Sequence, residues 1–394
     1  MFASAGLLLI ALAAVLGLAA CQRRLAEDLS TPPFLFRALN LRQQDPQGRP
    51  AWQLTSPEAR YDLARKVAQA RELRGTIYAS GRPLYRLSAS SGIVLNDGAL
   101  IQLEGQATLE RLGSQPLVIR ARRVRWFTRQ QRMELDLRPR ARDRDLEVSA
   151  DRAVFRIDRD KLELRGNPEI RRQPTSSASP GQPGAAVLKV HRIDWYPTSG
   201  VLSAPGPVRA VRAQAAGKPS QTLTAAFLRG NSRRQELLLQ APVRFLDPAA
   251  GAQLQAGDTW IDLARQALYS RQPFSGSIRR LQLSGEGFAV VNAGTLAVIT
   301  PGCRLRQPGE ALAAQRCAWN WSTQAIQASG GVELRRQANQ QVTRASRLDG
   351  RLGADGLVVF SSPGSRVSTE LRVPVRPPGD RSARPQAGRA PVGL

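Results

Sequence analysis

Residues 119–128, IRARRVRWFT, and residues 148–157, VSADRAVFRI, carry one pattern. In both, an apolar residue, a small residue and two further apolar residues share one face, with a two-residue skip after the alanine. Each segment is followed by a polar turn and a second alternating arm, RMELDL at 132–137 and KLELRG at 161–166. Period-two alternation predicts strands, and two such arms around a turn predict a β-hairpin. The skip predicts a β-bulge.

The same register returns along most of the chain, with a period of about thirty residues, which indicates stacked repeats. Copies begin near Leu87, Ile119, Val148, Leu188 and Leu223, with weaker ones at Leu254, Leu312 and Thr343. The chain is therefore predicted to be all-β and built from repeated hairpins. We expect a loop over 62–74 and an irregular insertion over 271–308.

Composition divides the repeats into two halves. Residues 174–186 are rich in proline, serine and glycine and are predicted to link a first half, 34–173, to a second half, 187–372. From residue 373 to 394 the sequence has no periodicity, so this tail is predicted to be disordered.

The first 21 residues predict export. Residues 2–20 form an uncharged apolar run that ends in Leu-Ala-Ala before Cys21. This resembles a bacterial lipobox, in which Cys21 would be lipidated after cleavage. An uncleaved membrane helix and a mis-set start codon remain alternatives, since no basic residue precedes the run. Each leaves the body tethered outside the cytoplasm, at the inner membrane and facing the periplasm.

Two further cysteines, Cys303 and Cys317, remain after Cys21 is set aside. A pair in an exported protein predicts a disulfide, with two free buried thiols as the alternative. Cys317 occupies an inward slot of the repeat. The protein has a formal net charge of +26, and its arginines fall mostly on outward positions and turns. They indicate a solvated face, or attraction to an anionic membrane or to acidic glycolipid headgroups; no nucleic-acid partner is expected.

The sequence lacks the motifs of an enzyme. His191 is its one histidine, and there is no nucleophile elbow, phosphate loop or Cys-x-x-Cys. We therefore expect no catalytic residues, no metal and no cofactor.

The functional hypothesis rests on the residues of each repeat that are predicted to point toward the interior. Bulky residues at the third inward position alternate with alanines and glycines on the same face, as expected either for a closed core or for a groove. The candidate groove residues are Val94, Leu103, Ala121, Val124, Trp126, Ala150, Phe155, Leu164, Trp195, Leu228 and Trp319.

The chain resembles the LptC family of lipopolysaccharide-export proteins, in its long cyanobacterial-type form with OstA-like repeats. The resemblance rests on the apolar N-terminus, WQLTSPEARYD at 52–62, GTIY at 75–78 and ASGGV at 328–332. It implies an elongated, open-edged β-jelly roll behind one N-terminal membrane anchor. It also implies that lipopolysaccharide passes from an inner-membrane ABC transporter, like LptB, LptF and LptG, along a β groove to an LptA-like protein by strand-edge pairing. The alternatives are a cell-envelope β-solenoid scaffold without lipid cargo and a protein that binds acidic polysaccharide.

Overall fold

The computed structural model describes residues 34–371 except 115–116, 145, 173–186, 213, 215–218, 292–294, 338–339 and 352–357. The described residues are all-β, as predicted, with 34 antiparallel strands and one short 3-10 turn at Asn96–Gly98. The predicted anchor with Cys21, the linker and the tail lie outside these residues. No helix in the described ranges has the length and apolar character to cross a membrane.

The first seventeen strands lie between Phe34 and Arg212. They are β1 (Phe34–Phe36), β2 (Leu39–Gln44), β3 (Pro50–Ser56), β4 (Glu58–Asp62), β5 (Val67–Ala79), β6 (Arg82–Leu95), β7 (Leu100–Arg111), β8 (Val118–Phe127), β9 (Arg132–Asp136), β10 (Arg140–Asp143), β11 (Leu146–Ser149), β12 (Arg152–Arg156), β13 (Lys161–Arg165), β14 (Glu169–Arg172), β15 (Val187–Lys189), β16 (Arg192–Tyr196) and β17 (Val201–Arg212).

The other seventeen follow in the same hairpin order. They are β18 (Gln221–Asn231), β19 (Glu236–Gln240), β20 (Val243–Asp247), β21 (Ala252–Ala256), β22 (Thr259–Asp262), β23 (Ala267–Ser270), β24 (Phe274–Ile278), β25 (Leu281–Gly285), β26 (Phe288–Val291), β27 (Leu296–Ile299), β28 (Cys303–Gln307), β29 (Glu310–Ala314), β30 (Arg316–Asn320), β31 (Ala325–Arg336), β32 (Gln341–Arg351), β33 (Val358–Ser361) and β34 (Ser368–Glu370).

The chain divides into two compact units. Unit 1 comprises Met1–Val208 with Asn231–Arg234, and unit 2 comprises Arg209–Gly230 with Gln235–Leu394. The short segment Asn231–Arg234 belongs to unit 1, and its Ser232 hydroxyl donates a buried 2.7 Å hydrogen bond to Asp143. The sequence places its boundary at 174–186, whereas these units divide near Val208. Strands β14 and β15, which flank residues 174–186, pair with each other.

Unit 1 consists of two ladders of strands. Its first ladder contains β2, β3, β10, β11, β14 and β15, and its second contains β1, β4, β9, β12, β13 and β16. The long strands β5–β8 take part in both, with register shifts in the β6–β7 and β7–β8 pairs where they cross. The predicted skip after alanine therefore marks the crossing between ladders. In the copy of the repeat at residues 148–157, the two-residue skip lies at the break between β11 and β12.

Unit 2 repeats this arrangement with its own two ladders. The first ladder runs through β18, β20, β21, β24, β25, β28, β29 and the β31–β32 pair. The second runs through β19, β22, β23, β26, β27, β30 and the same pair. Hairpin turns lie at the outer ends of the strands, and short links connect the ladders at the other ends.

Two regions are more regular than the sequence predicts. The expected irregular insertion over 271–308 forms β24–β28, which continue both ladders of unit 2 without interruption. Serines and glycines take the place of apolar residues in β24 (FSGSI, 274–278) and at the end of β25 (LQLSG, 281–285), so the alternation is hidden although the pairing is regular. The expected loop over 62–74 contains most of β5, which pairs with β4 and β6.

The predicted disulfide is confirmed: Cys303 and Cys317 are bonded, with Cα atoms 5.9 Å apart. Cys303 lies in β28 of the first ladder and Cys317 in β30 of the second. The bond therefore joins the two ladders of unit 2 at the end where they are linked.

Candidate functional site

The interior of unit 1 is closed. Its second ladder carries one inward row across the strands, formed by Ile101, Trp126, Met133, Phe155, Leu162 and Trp195. Phe155 and Trp195 are each 0% exposed, and Trp126 is 2% exposed. The candidates Val94, Leu103, Val124 and Leu164 are buried in the same ladder. Their predicted inward orientation is confirmed; contact with lipid stays a prediction.

Aromatic rings from the first ladder fill the space opposite this row. Trp52 meets Trp126 edge to face with centroids 5.6 Å apart, and Tyr85 meets Phe155 in the same geometry at 5.6 Å. Burial raises the pKa of the Tyr85 hydroxyl far above its ordinary value, and the nearby Asp160 carboxylate adds to this shift. Tyr85 is therefore a neutral part of the core.

Small residues in unit 1 do not leave empty space. Ala121 and Ala150 are buried. A Cβ atom at Gly92 would lie 2.8 Å from the Gln102 carbonyl oxygen and 2.9 Å from a Leu73 methyl. The small side chains thus permit close approach of neighbouring strands, and the middle of unit 1 is filled by Leu73 and Leu103 rather than open.

Unit 2 has a closed end where its ladders are linked. Phe274 of the first ladder packs edge to face on Phe288 of the second, with centroids 4.9 Å apart. A Cβ atom at Gly285 would lie 2.5 Å from an Ile299 methyl, so glycine is required for the ladders to approach this closely. The Cys303–Cys317 disulfide lies at the same end.

Away from the closed end, the inward side chains of unit 2 become half-buried. We call these residues, which belong to both ladders, the open cleft: Leu254, Ile261, Leu268, Leu283, Val290 and Trp319. Leu254, Leu268, Leu283 and Val290 pack against the buried cluster at the closed end. Ile261 and Trp319 belong to the same inward row as Leu268 and Val290. At comparable inward positions of unit 1 the side chains are fully buried. The open cleft is therefore a part of the described interior where apolar surface is accessible.

Side-chain size explains the difference between the two interiors. Inward positions of the second ladder hold Trp126, Met133 and Phe155 in unit 1, but Leu268, Val290 and Ala297 in unit 2. Facing positions of the first ladder in unit 2 are Leu254, Gly276 and Leu283. These side chains are too short to close the space between ladders that aromatic rings close in unit 1.

Two predicted candidates lie in unit 2. Leu228 is fully buried in β18, whereas Trp319 belongs to the open cleft. Sequence reasoning missed Leu254, Leu268, Leu283 and Val290 as groove residues. The alternating pairs Leu281–Leu283 and Phe288–Val290 carried the signal, but the serine- and glycine-rich residues around them obscured it.

Three indole N–H groups lack an acceptor. The Nε1 atoms of Trp126, Trp195 and Trp319 are buried without a hydrogen-bond partner in the described part of the protein. By contrast, Nε1 of Trp52 donates to Gln43 over 2.7 Å. An unsatisfied buried donor destabilises the folded state by about 1–3 kcal/mol, so these tryptophans are present for their apolar area.

No cluster of three or more His, Cys, Asp or Glu side chains that could hold a metal occurs among the described residues. The site consists of apolar surface enclosed by two β ladders. A surface of this kind favours burial of apolar groups, by about 25 cal/mol per Å² of apolar surface covered.

Comparison with known proteins supports the resemblance seen in the sequence. Residues 3–138 match the family of lipopolysaccharide-assembly, LptC-related proteins. The predicted resemblance is confirmed over these residues, and it supports a role in lipopolysaccharide transport. The described part of the match lies in unit 1, whereas the open cleft lies in unit 2.

The similarity to solved structures is more distant. A similar solved structure is that of LptH from Pseudomonas aeruginosa, described as the LptA-homologous periplasmic component of the conserved lipopolysaccharide transport device. It is 14% identical, with a TM-score of 0.26, and the alignment covers 34% of this chain and 92% of that one. No curated protein matches the sequence.

Proposed function

We propose that this protein receives lipopolysaccharide from an inner-membrane ABC transporter and passes it to a further β-jelly-roll protein, sheltering the acyl chains in the open cleft of unit 2. The observation that carries this proposal is the set of half-buried apolar side chains on both ladders, Leu254 and Leu283 on one and Leu268 and Val290 on the other. The LptC-related match over residues 3–138 supports lipopolysaccharide as the cargo.

The cargo needs such a surface. Each methylene of an acyl chain exposed to water costs about 0.8 kcal/mol, so a lipid with several chains does not cross an aqueous compartment unaided. A cleft that is apolar inside and bounded by turns at its mouth covers the chains while sugars stay in solvent. The absence of a nucleotide motif in the sequence fits a division of labour in which the transporter hydrolyses ATP.

Strand edges offer routes to protein partners. Among the described residues β1 pairs only with β4, and its side chains Phe34, Leu35 and Phe36 are 49%, 60% and 42% exposed. At the other end of the chain β34 pairs only with β32. Unpaired backbone groups of such strands accept a further strand by β-augmentation. We assign β1 to the transporter side and β33–β34 to the receiving protein.

Photo-crosslinking tests the path. A photoreactive residue at Leu268 or Val290 should capture lipopolysaccharide in membranes that contain the transporter and ATP. The outward neighbours Tyr269 and Ala289, on the same strands, are the matched controls and should not. The same probe at Trp126, Phe155 and Trp195 tests the path through unit 1, where capture requires the interior to open. If ATP-dependent transfer proceeds while none of the inward positions captures lipid, the proposal is wrong.

That outcome would favour the second function, a cell-envelope scaffold. The observation that favours a scaffold is the closed interior of unit 1, where Phe155 and Trp195 are fully buried. A scaffold predicts that inward crosslinkers capture no lipid under any condition. It also predicts that variants in the open cleft leave lipopolysaccharide transport unchanged.

A further inference from the structure

The outward face of the first ladder in unit 2 is concave. Residues of β18, β20, β21, β24, β25 and β28 line a groove of about 900 Å³ there, which we call the arginine groove. Most of its side chains alternate with the cleft residues: Gln282 and Ser284 point outward on either side of the inward Leu283. The inward residues Phe245, Leu254, Gly276 and Leu283 also border the groove. The polar side chains of the groove and the apolar side chains of the open cleft therefore point to opposite faces of the same strands.

The groove is basic and has no acidic lining. Arg244, Arg304 and Arg306 contribute the charge, and no carboxylate is among the described lining residues. The cross-strand neighbours of Arg304 are Ser284 and Ala313, and those of Arg306 are Gln282 and Ala311.

Arg244 lies between Thr224 and Gln255. In the described part of the chain these three arginines form no ion pair. Three cations thus face one concavity with only neutral side chains opposite them.

Other arginines of the same ladder are neutralised. Arg335 contacts Glu333 at 2.6 Å, and Arg344 contacts Glu333 at 3.0 Å and Glu370 at 2.7 Å. These pairs lie on β31, β32 and β34, on the same outward face as the groove. The lack of acids is therefore specific to the groove and is not a general property of the outward face.

The spacing of the charges defines the shape of a ligand. Arg244 on β20 is separated from Arg304 and Arg306 on β28 by four interstrand steps of about 4.8 Å, or about 19 Å. Between them the surface offers the amides of Gln253, Gln255 and Gln282 and serine hydroxyls. Guanidinium groups bind carboxylate or phosphate through paired hydrogen bonds, and amides and hydroxyls both donate to and accept from sugar hydroxyls.

We propose that the arginine groove binds an extended acidic oligosaccharide, carrying carboxylate or phosphate groups, across the strands of unit 2. Nucleic acid is disfavoured because the one aromatic residue among the described lining residues, Phe245, is half-buried and leaves no exposed ring on which bases could stack. The anionic sugars belong either to a free envelope polysaccharide or to the carbohydrate part of a glycolipid. This inference does not depend on lipid transport through the open cleft.

Equilibrium binding to the full-length protein tests the proposal. Two probes separate the sources: a labelled oligogalacturonate, and the phosphorylated core oligosaccharide prepared from lipopolysaccharide by removing its acyl chains. A neutral glucose oligomer of similar length serves as the uncharged control. The double variant Arg304→Gln/Arg306→Gln should weaken binding of an acidic probe about tenfold or more, since even one charge-assisted contact is worth roughly a factor of ten.

The matched control is Arg120→Gln/Arg140→Gln. These exposed arginines pair directly across β8 and β10 on the outward face of unit 1, so the same charge is lost away from the groove. Their loss should change affinity less than about twofold, a screened long-range effect. Binding of oligogalacturonate alone indicates a free polysaccharide, and binding of the core oligosaccharide alone indicates the sugar of a glycolipid.

Three results would overturn the inference. The first is that neither acidic probe binds the wild-type protein. The second is an equal loss of affinity in the groove and control variants, which shows attraction to net charge only. The third is equal binding of the neutral oligomer. Melting temperatures of both double variants should match wild type, because all four arginines are exposed.

Discussion

Trp52 and Trp126 form a natural comparison at the scale of single residues. Both are buried, they contact each other, and they belong to opposite ladders of unit 1. They differ in whether the indole N–H has a hydrogen-bond acceptor. Nε1 of Trp52 donates to Gln43, whereas Nε1 of Trp126 has no described acceptor. The contribution of an indole N–H to stability is therefore opposite in sign at the two positions.

We expect Trp52→Phe to destabilise the protein by about 1 kcal/mol more than Trp126→Phe. The first change removes a made hydrogen bond and leaves Gln43 unpaired, while the second removes an unsatisfied donor. Urea unfolding of the two variants measures the difference. Trp126→Ala, which also leaves a cavity, should lose about 3–5 kcal/mol. A Trp126→Phe variant less stable than Trp52→Phe would contradict this account.

At the scale of elements, the disulfide fixes the closed end of unit 2. It connects β28 to β30, which are separated along the chain by β29 and lie in different ladders. The inward side chains near it, such as Phe274 and Phe288, are buried, whereas those farther along the same strands are half-buried. The bond thus holds the ladders together where the cleft begins.

Replacing both cysteines with serine should destabilise unit 2 by about 3 kcal/mol, the value that chain entropy gives for a loop of this length. Hydrogen exchange followed by mass spectrometry should show faster exchange in β24–β30. Peptides from β9–β13 of unit 1 act as the internal control and should exchange as in wild type. Uniform acceleration across both units would show that the disulfide stabilises more than the closed end of unit 2.

At the scale of the whole molecule, two units with the same strand pattern have unlike interiors. Unit 1 is filled to its core by aromatic rings, and unit 2 leaves apolar side chains accessible. One protein therefore contains both a closed core and an open cleft, and a buried charge should affect the two units differently.

Phe155→Asp should lose more than about 4 kcal/mol because it places an unpaired carboxylate in a fully buried site. Val290→Asp should lose only about 1–3 kcal/mol, because solvent reaches the half-buried cleft. Thermal and urea unfolding report both. The outward neighbours Val154→Asp and Ala289→Asp control for strand propensity and should have smaller effects. Equal losses at Phe155 and Val290 would show that the cleft is closed in solution.

The sequence by itself determined the all-β class, the inward face of each strand and the cysteine pair. Alternation fixes these because a strand's side chains point to opposite faces with a period of two. It did not reveal the regular run β24–β28, because serines and glycines in β24 and β25 interrupt the apolar alternation that marks a strand.

Only the tertiary structure decided which inward rows are open. The distance between facing ladders depends on side chains far apart in sequence, such as Tyr85 against Phe155 in unit 1 and Phe274 against Phe288 in unit 2. The arginine groove was likewise invisible in the sequence, because Arg244 and Arg304 come together only through the register of five neighbouring strands. A local pattern assigns a side chain to a face, but what lies opposite that face is set by long-range pairing.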